Sequence, residues 1–366
     1  MQLRRSPAEV VPVGEILREE METRGWSQSD LAEILRRPLQ AVNEILAGKK
    51  GVTPETAKAL GAAFDVPPEF WLELENAYRL SRVSENSEDV KRRARLFHLV
   101  PLRELVKRGW VPKTDDLGVT ERAVCEFLEI PSIDAQPKYD FAARKSDGYE
   151  SVSQAQVAWF YRCLHLSKQR PLRTTFKIKT FESAVGGLRR LSLSDDLIKT
   201  VPAALEGLGV RLVLLEPIPA SKIDGACFWI DGGRPVVAIS MRFDRVDHFW
   251  HTLLHELAHI LEGPGGKSHL DVDLFRAPAE GKGKRPACEE EADRRACEWL
   301  VPRKDLELFI KQAKPFYSQQ AIAGFASAAG VHPGVVVGQL QHLGVIPFSH
   351  GRKMLVNVKH LLPIEV

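Results

Sequence analysis

The 366 residues include only five cysteines, at positions 125, 163, 227, 288 and 297. Their number is odd, they are scattered, and no two have paired-ligand spacing. That points away from a disulfide framework or a cysteine-based metal site and toward reduced thiols in a cytoplasm. No apolar run has membrane length, no segment has the pattern of a secretory signal, and no repeat recurs. A dominant charge is also missing. Lys and Arg total 51 against 48 Asp and Glu, and the net charge of +3 neither demands nor excludes nucleic acid. What is present is a 44% hydrophobic content, ample for folding, in a chain longer than one core normally organises. Two or three domains are expected.

The most informative stretch runs from Phe249 to Gly263 and contains His255-Glu256-Leu257-Ala258-His259. Histidines at i and i+4 share a helix face, so both imidazoles can reach one ion. Glu256, beside the first of them, sits on the flank of that face, where it can move a proton between a water and a leaving amine. Phe249, Leu253, Leu254, Leu257, Ala258, Ile260 and Leu261 supply an apolar body of helical length. Asp244 or Asp247 is placed to cap its start and Gly263 to end it. A helix buried this deeply would not leave two imidazoles and a carboxylate without a purpose. The chemistry implied is metal-assisted hydrolysis, most often of a peptide bond.

A catalytic zinc commonly takes three protein ligands, so a third is expected downstream. Cys288 to Pro302 reads as a second helix, with acidic residues in its first turn and Ala292, Ala296, Trp299 and Leu300 at helical spacing. Together these segments resemble the ImmA/IrrE-type metallo-endopeptidases. The hallmarks are the His255 to His259 helix, then Glu291-Ala292-Asp293 and Leu300-Val301-Pro302. The resemblance implies His255, His259 and Glu291 as ligands, with Glu290 as the fallback for the third, and Glu256 as general base. Zinc is the implied cofactor and manganese the alternative. Arg295 departs from the pattern, which has a bulky apolar residue there. Gly263 to Arg285 is rich in glycine and reads as a mobile loop beside the cleft, with His269, Asp271 and Asp273 as surface residues within it.

Upstream, Arg211–Leu215, Ala226–Ile230 and Val236–Ser240 read as strands, the last two joined by a turn at Asp231-Gly232-Gly233. An edge strand beside the cleft would bind an extended peptide by adding it to the sheet.

At the other end, Ser27 is placed as a helix cap before a stripe of Leu31, Ile34 and Leu35. Arg36-Arg37-Pro38 then breaks the chain before a second short helix ending at Gly48. This is the helix-turn-helix plan. Residues 11 to 80 resemble the Cro/C1-type family, and within it the HigA-like antitoxin regulators. The match is carried by Gly25-Trp26-Ser27-Gln28-Ser29-Asp30-Leu31-Ala32, by Pro38 to Ile45, by Gly48 to Ala57 and by Pro68 to Leu72. The resemblance implies phosphate contact by Gln28, groove contact by Arg37, Gln40 and Asn43, and backbone contact by Lys49 and Lys50. Leu39 weakens hydrogen-bonded readout at its own position, and Glu15, Glu19, Glu20 and Glu22 offset the basic residues.

The region between is mostly helical by periodicity, with Leu96–Trp110, Val152–Leu166 and Leu188–Leu205 as candidates, and with a basic cluster at Lys91 to Arg95. The fold expected is multidomain and mainly α. It comprises an all-α helix-turn-helix domain over 1–82, a helical connector over 83–205, and an α+β zincin-like domain with a small sheet over 206–366. The function expected is a cytoplasmic regulatory endopeptidase that cuts a partner protein such as a repressor. Double-stranded DNA and a second copy of the chain are the other expected partners, and no membrane is. The alternative is a HigA-like antitoxin or transcriptional regulator, with a toxin partner, whose peptidase domain is a sensor or scaffold.

Overall fold

The structure, a computed structural model, describes residues 11–82, 87–137, 141–144, 152–169, 172–231, 233–262, 268–272 and 287–366. The chain forms two compact units, Met1–Val90 and Lys91–Val366.

The first unit holds five helices: α1 (Val13–Arg24), α2 (Gln28–Ile34), α3 (Leu39–Leu46), α4 (Pro54–Phe64) and α5 (Pro68–Arg82). Gly25 closes α1 in the left-handed region, which glycine adopts without a Cβ penalty. Ser27 then caps α2 as expected: its hydroxyl accepts the Asp30 N–H, and the Asp30 carboxylate accepts the Ser27 N–H at 2.7 Å. Arg36, at φ 51°, makes the turn into α3. Leu17, Leu31, Val42, Ile45, Leu60, Phe64 and Trp71 form the core. Ile34 is 44% exposed, so the buried side of α2 is Leu31 and Ala32 rather than the stripe read from the sequence.

In sequence the boundary falls within α6 (Ser87–Leu99), which is followed by α7 (Leu102–Lys107), α8 (Leu117–Phe127), strand β1 (Phe141–Arg144), α9 (Gln154–Gln169), α10 (Ile178–Ala184), α11 (Asp195–Ile198) and α12 (Val201–Gly207). Next come β2 (Arg211–Leu214), β3 (Ile223–Ile230), β4 (Arg234–Ile239), α13 (Val246–His259), β5 (Ser268–Val272), α14 (Ala287–Leu300), α15 (Arg303–Ala313), α16 (Gln319–Ala329) and α17 (Pro333–His342). The sheet has the order β1-β5-β3-β4-β2. β3 runs antiparallel to both β4 and β5, whereas β1 is parallel to β5 and β2 parallel to β4.

Alternate residues of the strands feed two cores, as the pleat requires. Cys227, Val237 and Ile239 face α13, α14 and α17, while Ala226, Phe228, Val236, Ala238 and Leu270 face Val124 of α8 and Trp159 of α9. The segment expected as a separate connector is therefore built into this unit. Its α8 and α9 cover one face of the sheet, and Phe181, Ile198, Val201 and Leu205 join the core on the other. The expected long helix over Leu188–Leu205 is instead a 3₁₀ stretch, Val185–Ser192, followed by α11 and α12. Within the basic cluster, Arg92 pairs with Glu121 at 2.5 Å and Arg95 with Asp134 at 2.6 Å, so part of its charge is spent inside the unit. The stretch taken for a loop holds β5, whose register with β3 runs from Ile223↔Val272 to Cys227↔His269. Residues 263–267 and 273–286, including Asp273, lie outside the described residues. No single helix among those described is long and apolar enough to cross a membrane.

Candidate metal centre

α13 brings the first three site residues. Phe249, Trp250, Leu253, Leu254 and Leu257 bury it, and His255, Glu256 and His259 are buried with them, none more than 2% exposed. Its first turn differs from the sequence reading. Neither aspartate caps it: Asp247 pairs with Arg245 at 2.7 Å, and Asp244 accepts the N–H groups of Val358 and Lys359 at 2.8 Å.

The carboxylate that α14 brings to the histidines is that of Glu289, not Glu291. His255 Nε2 lies 3.2 Å from His259 Nε2 and 3.3 Å from Glu289 Oε2, and His259 Nε2 lies 3.5 Å from the same oxygen. Ligands at about 2.0–2.1 Å on a tetrahedral zinc stand about 3.3–3.4 Å apart, so this triangle has the size of one face of such a site. Glu291 is turned outward with its side chain 41% exposed. Hydrogen bonds from Arg294 and then Arg295 hold its pKa down to about 2. Glu290 is exposed as well. The departure noted at Arg295 is thus part of an ion pair on the far side of α14.

Two further residues had no assigned role in the sequence reading. Asp293, one turn after Glu289, accepts from Nδ1 of His255 at 2.8 Å. With the proton on Nδ1, the Nε2 lone pair faces Glu289 and His259, the carboxylate–histidine arrangement that orients metal ligands. His251, one turn before His255, lies 3.9 Å from the same carboxylate. Burial outweighs that attraction and lowers its pKa to about 3, leaving it neutral. The i, i+4 spacings of 251, 255 and 259 and of 289 and 293 were the available signal. Three atoms that each offer a lone pair, converging within 3.5 Å in a dry site, repel one another unless a cation or shared proton sits among them. The donor set fits zinc by number, type and spacing.

Glu256 stands on the other flank, over β3. A β-carbon at Gly225 would collide with its carboxylate, so only glycine admits so close an approach. β3 is paired on both sides there, to Ile239 of β4 and Asp271 of β5. Cys297 is pushed up to about 11, first by burial and then by Asp293, and stays a thiol. None of the five cysteines is in a disulfide. The His332 ring accepts the Gly334 N–H at the start of α17.

In the first unit, Gln28 opens α2, Gln40 and Asn43 lie on the exposed side of α3, Arg37 precedes it, and Lys49 and Lys50 follow it on the surface. Gln40 donates to Glu44 one turn on, at 3.2 Å.

The two units thus define a class: a helix-turn-helix protein joined to a domain built around an HExxH helix and a carboxylate-bearing partner helix. Comparison with known proteins agrees. Residues 17–71 match the helix-turn-helix family and residues 206–338 the family described as IrrE N-terminal-like domain. The chain belongs to the helix-turn-helix family of Cro/C1 type and carries an IrrE N-terminal-like domain in its C-terminal half. The "Uncharacterized HTH-type transcriptional regulator YddM" of Escherichia coli K12 is 31% identical over 83 residues, 23% of this chain and 87% of that protein. "Virulence-associated protein A'" of Dichelobacter nodosus is 34% identical over 77 residues, 21% of this chain and 67% of that one. Among solved structures, "Pseudomonas aeruginosa antitoxin HigA with higBA promoter" is 32% identical, covering 20% of this chain and 80% of that one with a TM-score of 0.20.

Proposed function

We propose that the chain is a regulatory metal-dependent endopeptidase that hydrolyses a peptide bond in a partner protein such as a repressor, and that its first unit binds double-stranded DNA. The observation that carries the first half is the 3.2–3.5 Å triangle of His255, His259 and Glu289 beside a buried glutamate. These three residues would hold the metal, zinc or alternatively manganese, with Glu289 in place of Glu291. A bound zinc supplies Lewis acidity toward the scissile carbonyl. Asp293 keeps the Nδ1 proton of His255 in place, so Nε2 is always the atom presented. Glu256, packed over Gly225, takes the proton of the attacking water and returns it to the leaving amine. His251 stays neutral and adds no positive charge beside the histidine ligands.

The helix-turn-helix match supports the second half. Gln28, Lys49 and Lys50 would hold phosphates, and Arg37, Gln40 and Asn43 would face the major groove, in a homodimer reading two half-sites. Five cysteines with no disulfide between them suit a cytoplasmic setting, where operators and repressors are found. The test of the enzyme is Glu256→Gln. It is expected to keep about one metal per chain and to lose cleavage of a co-expressed repressor. Undiminished cleavage by that variant would remove Glu256 from the role of base.

A second reading rests on the relatives, two of which are HTH-type transcriptional regulators. In it the chain is a HigA-like antitoxin or regulator with a toxin partner, and the C-terminal unit senses or binds without turnover. Metal-loaded wild-type protein that binds its partner and leaves it uncut over hours would favour this reading.

A further inference from the structure

The strand order places one element where a substrate is expected. Gly225, beneath Glu256, is in register with Asp271 of β5 on one side and Ile239 of β4 on the other. On the β4 side the sheet continues into β2 and is covered by the helical core. On the other side only β5 separates the carboxylate from an edge. An extended peptide adding to the sheet next to Glu256 must therefore use the outer edge of β5, because at Gly225 β3 is paired on both sides. That outer edge is taken by β1, in parallel register from Phe141↔Ser268 to Arg144↔Asp271. Gly225, Asp271 and Arg144 form one row across the sheet, and two strand spacings put β1 about 10 Å from the floor beneath Glu256.

β1 is also foreign to its neighbours. The other four strands lie within 211–272, inside the IrrE N-terminal-like match, whereas β1 arrives from residues 141–144, before that match begins. It is four residues long and parallel, the less stable way to pair, and an edge strand of that kind is displaceable.

Resting on the endopeptidase reading, we infer that β1 is a built-in occupant of the peptide-binding edge, and that a partner's extended segment binds by replacing it on β5. Such a site takes backbone amides and carbonyls in extended conformation, so its substrates are unfolded or locally unfolded segments of a protein. β1 lowers their apparent affinity by the fraction of molecules in which the edge is open.

The experiment compares Glu256→Gln protein with the same protein carrying Ala142→Pro and Ala143→Pro, which remove amide donors from β1 and break its pairing. Hydrogen exchange at the β5 amides of Ser268–Val272 is expected to rise. The affinity for fluorescently labelled β-casein, an unfolded protein, is expected to rise by about tenfold or more. A synthetic peptide of residues 138–151 should reverse that gain. Unchanged affinity despite faster β5 exchange, or unchanged exchange, would overturn the inference. If the double-proline chain does not fold, an equal-length Gly/Ser replacement of residues 138–151 is measured in the same way. Since the Glu256→Gln background reads binding and not turnover, failure of the peptidase reading shows separately, as wild-type protein that holds no metal or cuts nothing.

Discussion

The two nitrogens of the His255 ring have different tasks, and Asp293 separates them. Its carboxylate, 2.8 Å from Nδ1, fixes which nitrogen is protonated and leaves Nε2 as the donor atom. Removing it in Asp293→Ala should weaken metal binding about 10- to 100-fold while the fold persists, measured by competition with a chromophoric chelator. Unchanged metal affinity would mean that packing of the ring suffices. His248 lies at the start of the same helix, against the Phe243 ring at 4.6 Å and near Asp247, Arg245 and Arg242. Burial lowers its pKa from 6.5 to about 4, against the pull of Asp247. The unfolded chain thus binds this proton first as pH falls. The contribution of neutral His248 is complete above pH 6.5 and is lost on the way down to about 4. Denaturant titrations across that window should show wild-type stability falling about 1.4 kcal/mol per pH unit more steeply than that of His248→Gln. Parallel curves would place the proton elsewhere.

Elements were legible where the signal is local. The His255–His259 spacing is set by one helical turn, and the Ser27–Asp30 capping box by three residues, so both could be read from the chain. The third carboxylate could not. Glu289, Glu290 and Glu291 are successive residues on α14, each about 100° further around the helix, and only its packing against α13 decides which one turns inward. Ala292, Ala296 and Leu300 bury that side of the helix and carry Glu289 and Asp293 in with it. β5 was hidden for another reason: it is five residues long and flanked by glycine-rich stretches that read as loop. On α3, Gln40 and Asn43 lie on the exposed side with Leu39, while Val42, Ile45 and Leu46 are buried. A gel shift with the DNA upstream of the protein's own coding region is expected to show a complex, weakened about tenfold or more by Gln40→Ala and unchanged by Glu256→Gln. No shift at any concentration would leave the first unit a protein-binding module.

At the scale of the whole molecule, periodicity showed residues 96–205 to be mostly helical and found α9, but it joined the end of α6 to α7, read Leu188–Leu205 as one helix, and did not show what any of them covers. α8 and α9 bury Phe228 and Ala226 from one face, while Val201 and Leu205 of α12 join the other. Two units result, within the two or three domains that length and composition suggested, where the motif boundaries had marked off three segments. The C-terminal unit is then a sheet with helices on both faces, and among the described residues a cluster of lone-pair donors lies where α13 and α14 meet. The measurement that tests this account most directly is the metal content of wild type, Glu289→Ala and Glu291→Ala, by elemental mass spectrometry at equal protein concentration. About one metal per chain in wild type and in Glu291→Ala, with none in Glu289→Ala, is predicted. Metal lost from Glu291→Ala and retained by Glu289→Ala would contradict it.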